Sequence, residues 1–272
     1  MPLSIKDKTS LFGVTLFLLL TIWWVLINLG YFGERGLWHD LFSDIYGILA
    51  LFGGLSGFVV AKKWGGFQSY FGKATIFLSL GLLLQFFGQI SYSYYYYVLG
   101  IDNPYPCIGD FGYFGTIPLY VLGVFFIGKT LGIKQILNNA WYLFLAILVP
   151  ALMLLISYFV FLKDIEIDWA SNSVLFLTLS NPLGQAILIS MAILTYLLSF
   201  GKLGGVMKNK ILLLLLALCA QYLADFVFLY NTSRGEWVPG MYSDYLYLLA
   251  YFLMTLGIAK LASVYRDIKA NK

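Results

Sequence analysis

An all-α, polytopic membrane bundle of about eight transmembrane helices is the fold class this sequence predicts, and three observations predict it. Its 272 residues are 61% hydrophobic and only 11% charged, with a mean hydropathy of +0.84, which is too apolar for a domain with a solvated surface. Several apolar runs reach the ~18–20 residues that cross a bilayer as a helix. The basic residues gather on alternate connections, as spans of alternating direction require. The whole chain, residues 1–272, reads as one integral membrane domain.

The first span, Thr9–Gly30, follows Lys6 and Lys8. Its apolar run is long and carries no A-x-A site, so it reads as an uncleaved helix rather than a signal peptide. The second, Leu41–Ala61, contains Gly53, Gly54 and Gly57, a spacing that permits close approach of a neighbouring helix. Lys62, Lys63 and Lys73 then flank an amphipathic connection, WGGFQSYF, suited to lying along the membrane interface. The third and fourth spans, Ala74–Val98 and Asp110–Gly128, enclose the Pro-rich turn GIDNPYPCI. The fifth, Ala140–Leu162, contains Pro150, and the sixth, Ser173–Phe200, contains Asn181-Pro182. A missing N–H there should kink the helix or leave a carbonyl for another partner. The seventh and eighth spans are Ile211–Tyr230 and Tyr242–Ala262.

Eight spans place both termini on one side. Of the 17 Lys and Arg residues, only Arg35, Lys163 and Arg234 fall on the opposite side, so the termini are expected in the cytoplasm of a cell membrane. The acids run the other way. Only Asp7 and Asp267 of the 13 share the lysine side, and Asp225 is embedded in the seventh span. The net charge of +4 is dispersed and lacks the basic cluster a nucleic-acid partner needs. Membrane lipids are the partners this composition requires.

Polar chemistry collects in Gln85–Gly123. Gln85, Gln89, Ser93 and Tyr96/Tyr97 recur at intervals of three and four, which places amides, a hydroxyl and phenols on one helical stripe. The Tyr run at 92 and 94–97 reads mostly as an interfacial aromatic belt, with Tyr92 and Tyr96 turned inward beside Gln89. Near the C-terminus the order of features repeats: Gln221 matches Gln89, Asp244 matches Asp110, Tyr247 matches Tyr113 and Gly257 matches Gly123. Both copies enter and leave on the same sides, so the repeat of spans 3–4 and 7–8 is parallel rather than inverted.

These residues resemble a known family, the multi-pass sensory modules that precede GGDEF, EAL, PAS or histidine-kinase domains in prokaryotic signalling proteins. Asp110-x-x-Tyr113 with Pro118 and Gly123 is similar to one of its recurring patterns. Asp225, Trp237, Gly240, Asp244, Tyr247, Tyr251 and Gly257 are similar to the second. Ile117 stands where the family often has Tyr before the Pro. The resemblance implies a sensory role and no chemistry. With only a short tail after the eighth span, it further implies output through a cytoplasmic signalling partner.

Asp225 is the sharpest single residue. It lies about 21 Å along a helix that begins at Ile211, at ~1.5 Å per residue, where an ionised carboxylate costs ~2.5–3.5 kcal/mol. It reads either as a pocket acid for a cation, an amine or a proton, or as a structural hydrogen bond between spans 7 and 3. Asp110 and Asp244 each begin a helix, where a carboxylate caps free N–H groups. His39 is the only histidine and lacks a metal-ligand spacing. The sequence also carries no nucleotide-binding or hydrolase fingerprint. No metal or cofactor is therefore expected.

The expectation is an outward-facing polar pocket of Gln89, Tyr92, Tyr96, Asp110, Tyr113, Gln221, Asp225, Asp244 and Tyr247, taking a small-molecule or lipid ligand in a sensory module. A permease for a small or cationic solute and an intramembrane lipid-modifying enzyme are the alternatives.

Overall fold

Backbone N–H and C=O groups find no water in hydrocarbon, so apolar runs of this length fold as helices that satisfy them internally. In the computed structural model, which describes residues 8–102, 104–131, 140–163, 172–202 and 208–270, nine α-helices make up the described chain. They are α1 (Lys8–Asn28), α2 (Leu37–Ile45), α3 (Ile48–Lys63), α4 (Tyr70–Tyr97), α5 (Ile108–Thr130), α6 (Ala140–Ser157), α7 (Asn172–Lys202), α8 (Lys208–Ser233) and α9 (Tyr242–Ala270). No strand occurs among the described residues. Eight spans are long and apolar enough to cross a membrane, α2 and α3 together forming one of them, Leu37–Lys63. The protein is an all-α, multi-pass membrane protein, and its exposed apolar side chains face lipid.

Three local features go beyond the sequence reading. The second span is broken at Tyr46–Gly47, because Gln89 of α4 passes there: a Cβ on Gly47 would stand 1.7 Å from the Gln89 Oε1. The amide Nε2 of Gln89 donates to the Ser43 carbonyl, one of the carbonyls that a helix end leaves open. The connection expected along the interface is a tight turn, with a 3-10 segment at Gly66–Gln68, and Tyr70 already opens α4. The fifth span closes with a π-helical turn, Tyr158–Leu162. Helix α7 runs through Pro182 without a break, and the Ser157 hydroxyl bonds the carbonyl of Pro182 itself at 3.4 Å.

Six spans close into a ring. Helix α3 packs on α4, α4 on α5, α5 on α7, α7 on α8, α8 on α9, and α9 back on α3. Outside the ring, α6 leans on α7 and α1 on α9. The glycines of α3 make two of these contacts close. A Cβ on Gly53 would stand 2.1 Å from the Thr255 Oγ1 of α9, and one on Gly57 1.9 Å from the Ser79 Oγ of α4. The α4–α5 pair uses the same device at a seven-residue interval, with the rings of Tyr120 and Tyr113 lying over Gly81 and Gly88.

Among the described residues, Lys8, Lys62, Lys63, Lys73, Lys129 and Lys210 lie toward one end of the bundle, and Glu34, Asp40, Asp44, Asp102, Asp110, Glu236 and Asp244 toward the other. Lys6, Asp7, Lys134, Asp164, Glu166, Asp168 and Lys272 lie outside the described residues.

Candidate functional site

The α4 stripe anticipated from spacing faces α2 and α9. Moving from mid-membrane outward, the Gln85 Oε1 accepts from the Tyr251 hydroxyl at 3.0 Å, and Gln89 donates to Ser43 as described. The Ser93 and Tyr97 hydroxyls donate to the two oxygens of Asp44. Buried amides and hydroxyls in hydrocarbon must find partners, and a period of three to four residues delivers each to the same neighbours. Tyr92 turns inward, and its hydroxyl donates to the Asp110 Oδ1 at 2.5 Å. Tyr96 does not: it is 51% exposed and meets Tyr97 edge to face at 4.9 Å. Consecutive residues on a helix point 100° apart, and the stripe ends on Tyr97 rather than Tyr96.

Asp110 and Asp244 both sit at the third residue of their helices, α5 and α9. Asp110 reaches back to the Cys107 backbone N–H at 2.7 Å, while the Cys107 sulfur accepts from Gly109 N–H at 3.3 Å, a reciprocal cap on the helix start. Burial pushes the Cys107 thiol up from its ordinary value. Asp244 reaches back to the Gly240 N–H at 2.8 Å and also accepts from the Ser43 hydroxyl. The Gly240 carbonyl in turn accepts from Trp24 Nε1 at 3.0 Å and Asn28 Nδ2 at 3.1 Å. One backbone residue thus ties α1, α2 and α9 together at the acidic end.

Asp225 occupies α8 within the ring, between α7 and α9. Its carboxyl accepts from Gln185 Nε2 of α7 at 2.6 Å, from Gln221 Nε2 one turn earlier at 3.2 Å, and from the Tyr247 hydroxyl of α9 at 2.8 Å. Interhelical hydrogen bonds in membranes contribute roughly 0.6–2 kcal/mol each, so the two from Gln185 and Tyr247, with the bond from Gln221 on the same helix, offset much of the ~3 kcal/mol that a carboxylate costs in hydrocarbon. The structural alternative read from sequence, a bond between spans 7 and 3, is replaced by bonds to spans 6 and 8. Asp225, Gln185, Tyr247 and Phe228 are each half-buried as residues, and the carboxyl is set among three spans. From Tyr247 a line of aromatic side chains continues through Tyr251, at 6.1 Å, to Tyr46, at 5.9 Å. Tyr251 also holds Gln85, which links the acid to α4 in three steps.

The nine residues expected in one pocket are therefore divided. Gln221, Asp225 and Tyr247 meet directly. Tyr92, Asp110 and Tyr113 form a second set, with Tyr92 and Tyr113 stacked at 6.2 Å. Gln89 and Asp244 share Ser43 in a third. Gln185, the shortest contact to Asp225, was missed by the sequence reading, although it is an amide one turn after Asn181 in an apolar span, a signal of the kind that singled out Gln221. Ser43 gave no signal, because its partners lie some 46 and 201 positions away in the chain. Among the described residues no group of three His, Cys, Asp or Glu side chains converges as a metal site would require. Comparison with protein families, with curated proteins and with solved structures gave no match to this chain, which leaves its geometry to carry the functional reading.

Proposed function

We propose that this membrane protein is a sensory or ligand-binding module whose site centres on Asp225. One observation carries the reading: among the described residues, an intramembrane carboxyl is held only by neutral donors, drawn from three spans. A ligand with a cationic or strongly donating group competes with Gln185, Gln221 and Tyr247 for the same oxygens. Its binding then favours one arrangement of α7, α8 and α9 over another, as differential affinity for two states requires. Helix α9 suits the output role, because it continues unbroken from Tyr242 to Ala270, beyond the end of its span at Ala262. A shift at Tyr247 would be delivered along it to the lysine-bearing end, where a cytoplasmic signalling partner would read it. The positive-inside rule puts that end, and both termini, in the cytoplasm.

The resemblance to multi-pass sensory modules agrees with this assignment. The paired hairpins are part of the proposal, with one change of register. Leu78 packs at Gly123 and Leu214 at Gly257, a correspondence that sets Gln85 against Gln221 and Gln89 against Asp225, one helical turn from the match read in sequence. Permeation has less support. Towards the lysine-bearing end the buried Thr75, Ser79 and Ser190 bond carbonyls of their own helices, among walls of Leu78, Leu82, Leu214 and Ile258. A lipid-modifying enzyme would need converging acids, and Asp110, Asp225 and Asp244 are held by separate partners.

The test is ligand-induced thermal stabilisation of the detergent-solubilised protein across a panel of amines, cations, metabolites and lipids. A compound that raises the melting temperature of the wild type and not of Asp225→Asn supports the site. An unchanged response in Asp225→Asn, for every active compound, would sink it.

A further inference from the structure

A second site lies at the opposite end of the bundle. A groove of about 470 Å³ opens where α3 ends, between Phe58, Ala61 and Lys62, the Gly65–Gln68 turn and Ile76 of α4. That volume falls within the ~300–1,000 Å³ typical of small-molecule sites. Lys62 is the one charged residue in its lining, which contains no carboxylate. Lys63 follows directly, and both close the span Leu37–Lys63, so the groove stands at headgroup depth. Its lining carries both chemistries: Phe58 and Phe67 offer apolar surface over the buried Ala61 and Ile76, while Lys62 and Gln68 offer donors.

The groove is pre-formed. Gly65 and Gly66 take positive φ values of 87° and 54°, which reverse the chain in the fewest residues. The Ser69 hydroxyl donates to the Trp64 carbonyl and accepts from Gly72 N–H, fixing the turn to the start of α4. The Trp64 indole donates to the Leu261 carbonyl at 3.2 Å and packs on Phe71 at 5.2 Å. A ligand that docks here orders little of the protein, which limits the entropic cost of binding.

From this geometry we infer that the groove binds an anionic phospholipid, its phosphate on Lys62 and Gln68 and the upper part of its acyl chains along Phe58 and Phe67. Charge complementarity selects the occupant: an ammonium with no carboxylate in the same lining attracts an anion, and the Phe58 and Phe67 rings beside it select an anion that carries hydrocarbon. Basic grooves between spans hold acidic lipid headgroups by this combination.

The experiment uses the full chain in nanodiscs of mixed phosphatidylcholine and phosphatidylglycerol, with native mass spectrometry counting the lipid retained on release. Lys62→Gln should lower retained phosphatidylglycerol about fivefold, the equivalent of ~1 kcal/mol per basic residue near an acidic membrane, and Lys62→Arg should keep it. Lys210→Gln removes the same charge from the same end of the bundle and should leave retention unchanged. Equal retention in wild type and Lys62→Gln, or an equal loss in Lys210→Gln, overturns the site in favour of diffuse surface attraction. Lys62 is exposed, so the variants should fold, and an unchanged melting temperature in phosphatidylcholine alone checks that they do.

Discussion

The Tyr247 hydroxyl donates to the Asp225 Oδ1 at 2.8 Å, joining α9 to α8 inside the membrane. The bond places the carboxyl at the junction of three consecutive spans, and Tyr251 extends the junction to the distant Gln85 of α4. If the network acts as a unit, its members should fail together. Tyr247→Phe should lower stability by roughly 1 kcal/mol, the scale of interhelical hydrogen bonds in bilayers. The double variant Tyr247→Phe/Gln185→Leu should deviate from additivity, as contacts sharing one acceptor do. Unfolding in mixed micelles of rising SDS content measures both.

Asp244 should matter more to the fold than its role as a helix cap suggests. Replacement by Ala leaves the Ser43 hydroxyl without its acceptor and removes one of the two acceptors of the Gly240 N–H, in a nearly fully buried position. We expect a loss of about 2–4 kcal/mol, the range for truncating a charged group that accepts buried hydrogen bonds. Tyr97→Phe removes a bond to the more exposed Asp44 and should cost under ~1 kcal/mol.

The glycine seats give a steric test. A Cβ at position 81 would meet the Tyr120 ring at 2.2 Å, and one at position 57 the Ser79 hydroxyl at 1.9 Å, whereas nothing lies within 4 Å of one at Gly36. Gly81→Ala should destabilise by about 1–3 kcal/mol, as overpacking does. Gly36→Ala should stay within about 0.5 kcal/mol of the wild type. Thermal melting of the three proteins in one detergent separates the cases.

Cys107 supplies a pH-dependent readout. Its thiol is 6% exposed, and burial raises its pKa. The thiolate fraction near pH 8, where an ordinary cysteine with a pKa of about 8.5 reacts readily, is therefore reduced. Maleimide should modify Cys107 more slowly than a cysteine at Ile101, which is 45% exposed, with a rate that climbs further as pH increases. Because Cys107 is shielded, Ile101→Cys on a Cys107→Ser background is the better topology probe. We expect labelling of intact cells from outside, and labelling only after lysis would reverse the proposed orientation.

The parts of this protein legible in the sequence follow from rules that act locally. Apolar length dictates helices because lipid offers the backbone no other partner, and the eight spans were readable for that reason. The α4 stripe was readable because helical periodicity alone sets which of Gln85, Gln89 and Ser93 share a face. Asp110 and Asp244 were readable as helix-start acids because a cap involves residues three or four apart. The limit came within the same stretch: spacing admitted both Tyr96 and Tyr97, the sequence reading turned Tyr96 inward, and the position of Asp44 on a neighbouring helix chose Tyr97 instead.

What belongs to tertiary structure alone is the choice of partner across the ring. The sequence by itself determined the class of the protein, the number of its spans and the residues carrying polar groups into the membrane. It did not determine that Asp225 meets Gln185 and Tyr247, that Ser43 serves both Gln89 and Asp244, or that the second span breaks to admit an amide. The physical reason is that hydrophobicity has no direction: it drives eight spans into lipid without specifying their order around a ring. Close packing at glycines and the need to satisfy each buried donor and acceptor then select one arrangement from among them.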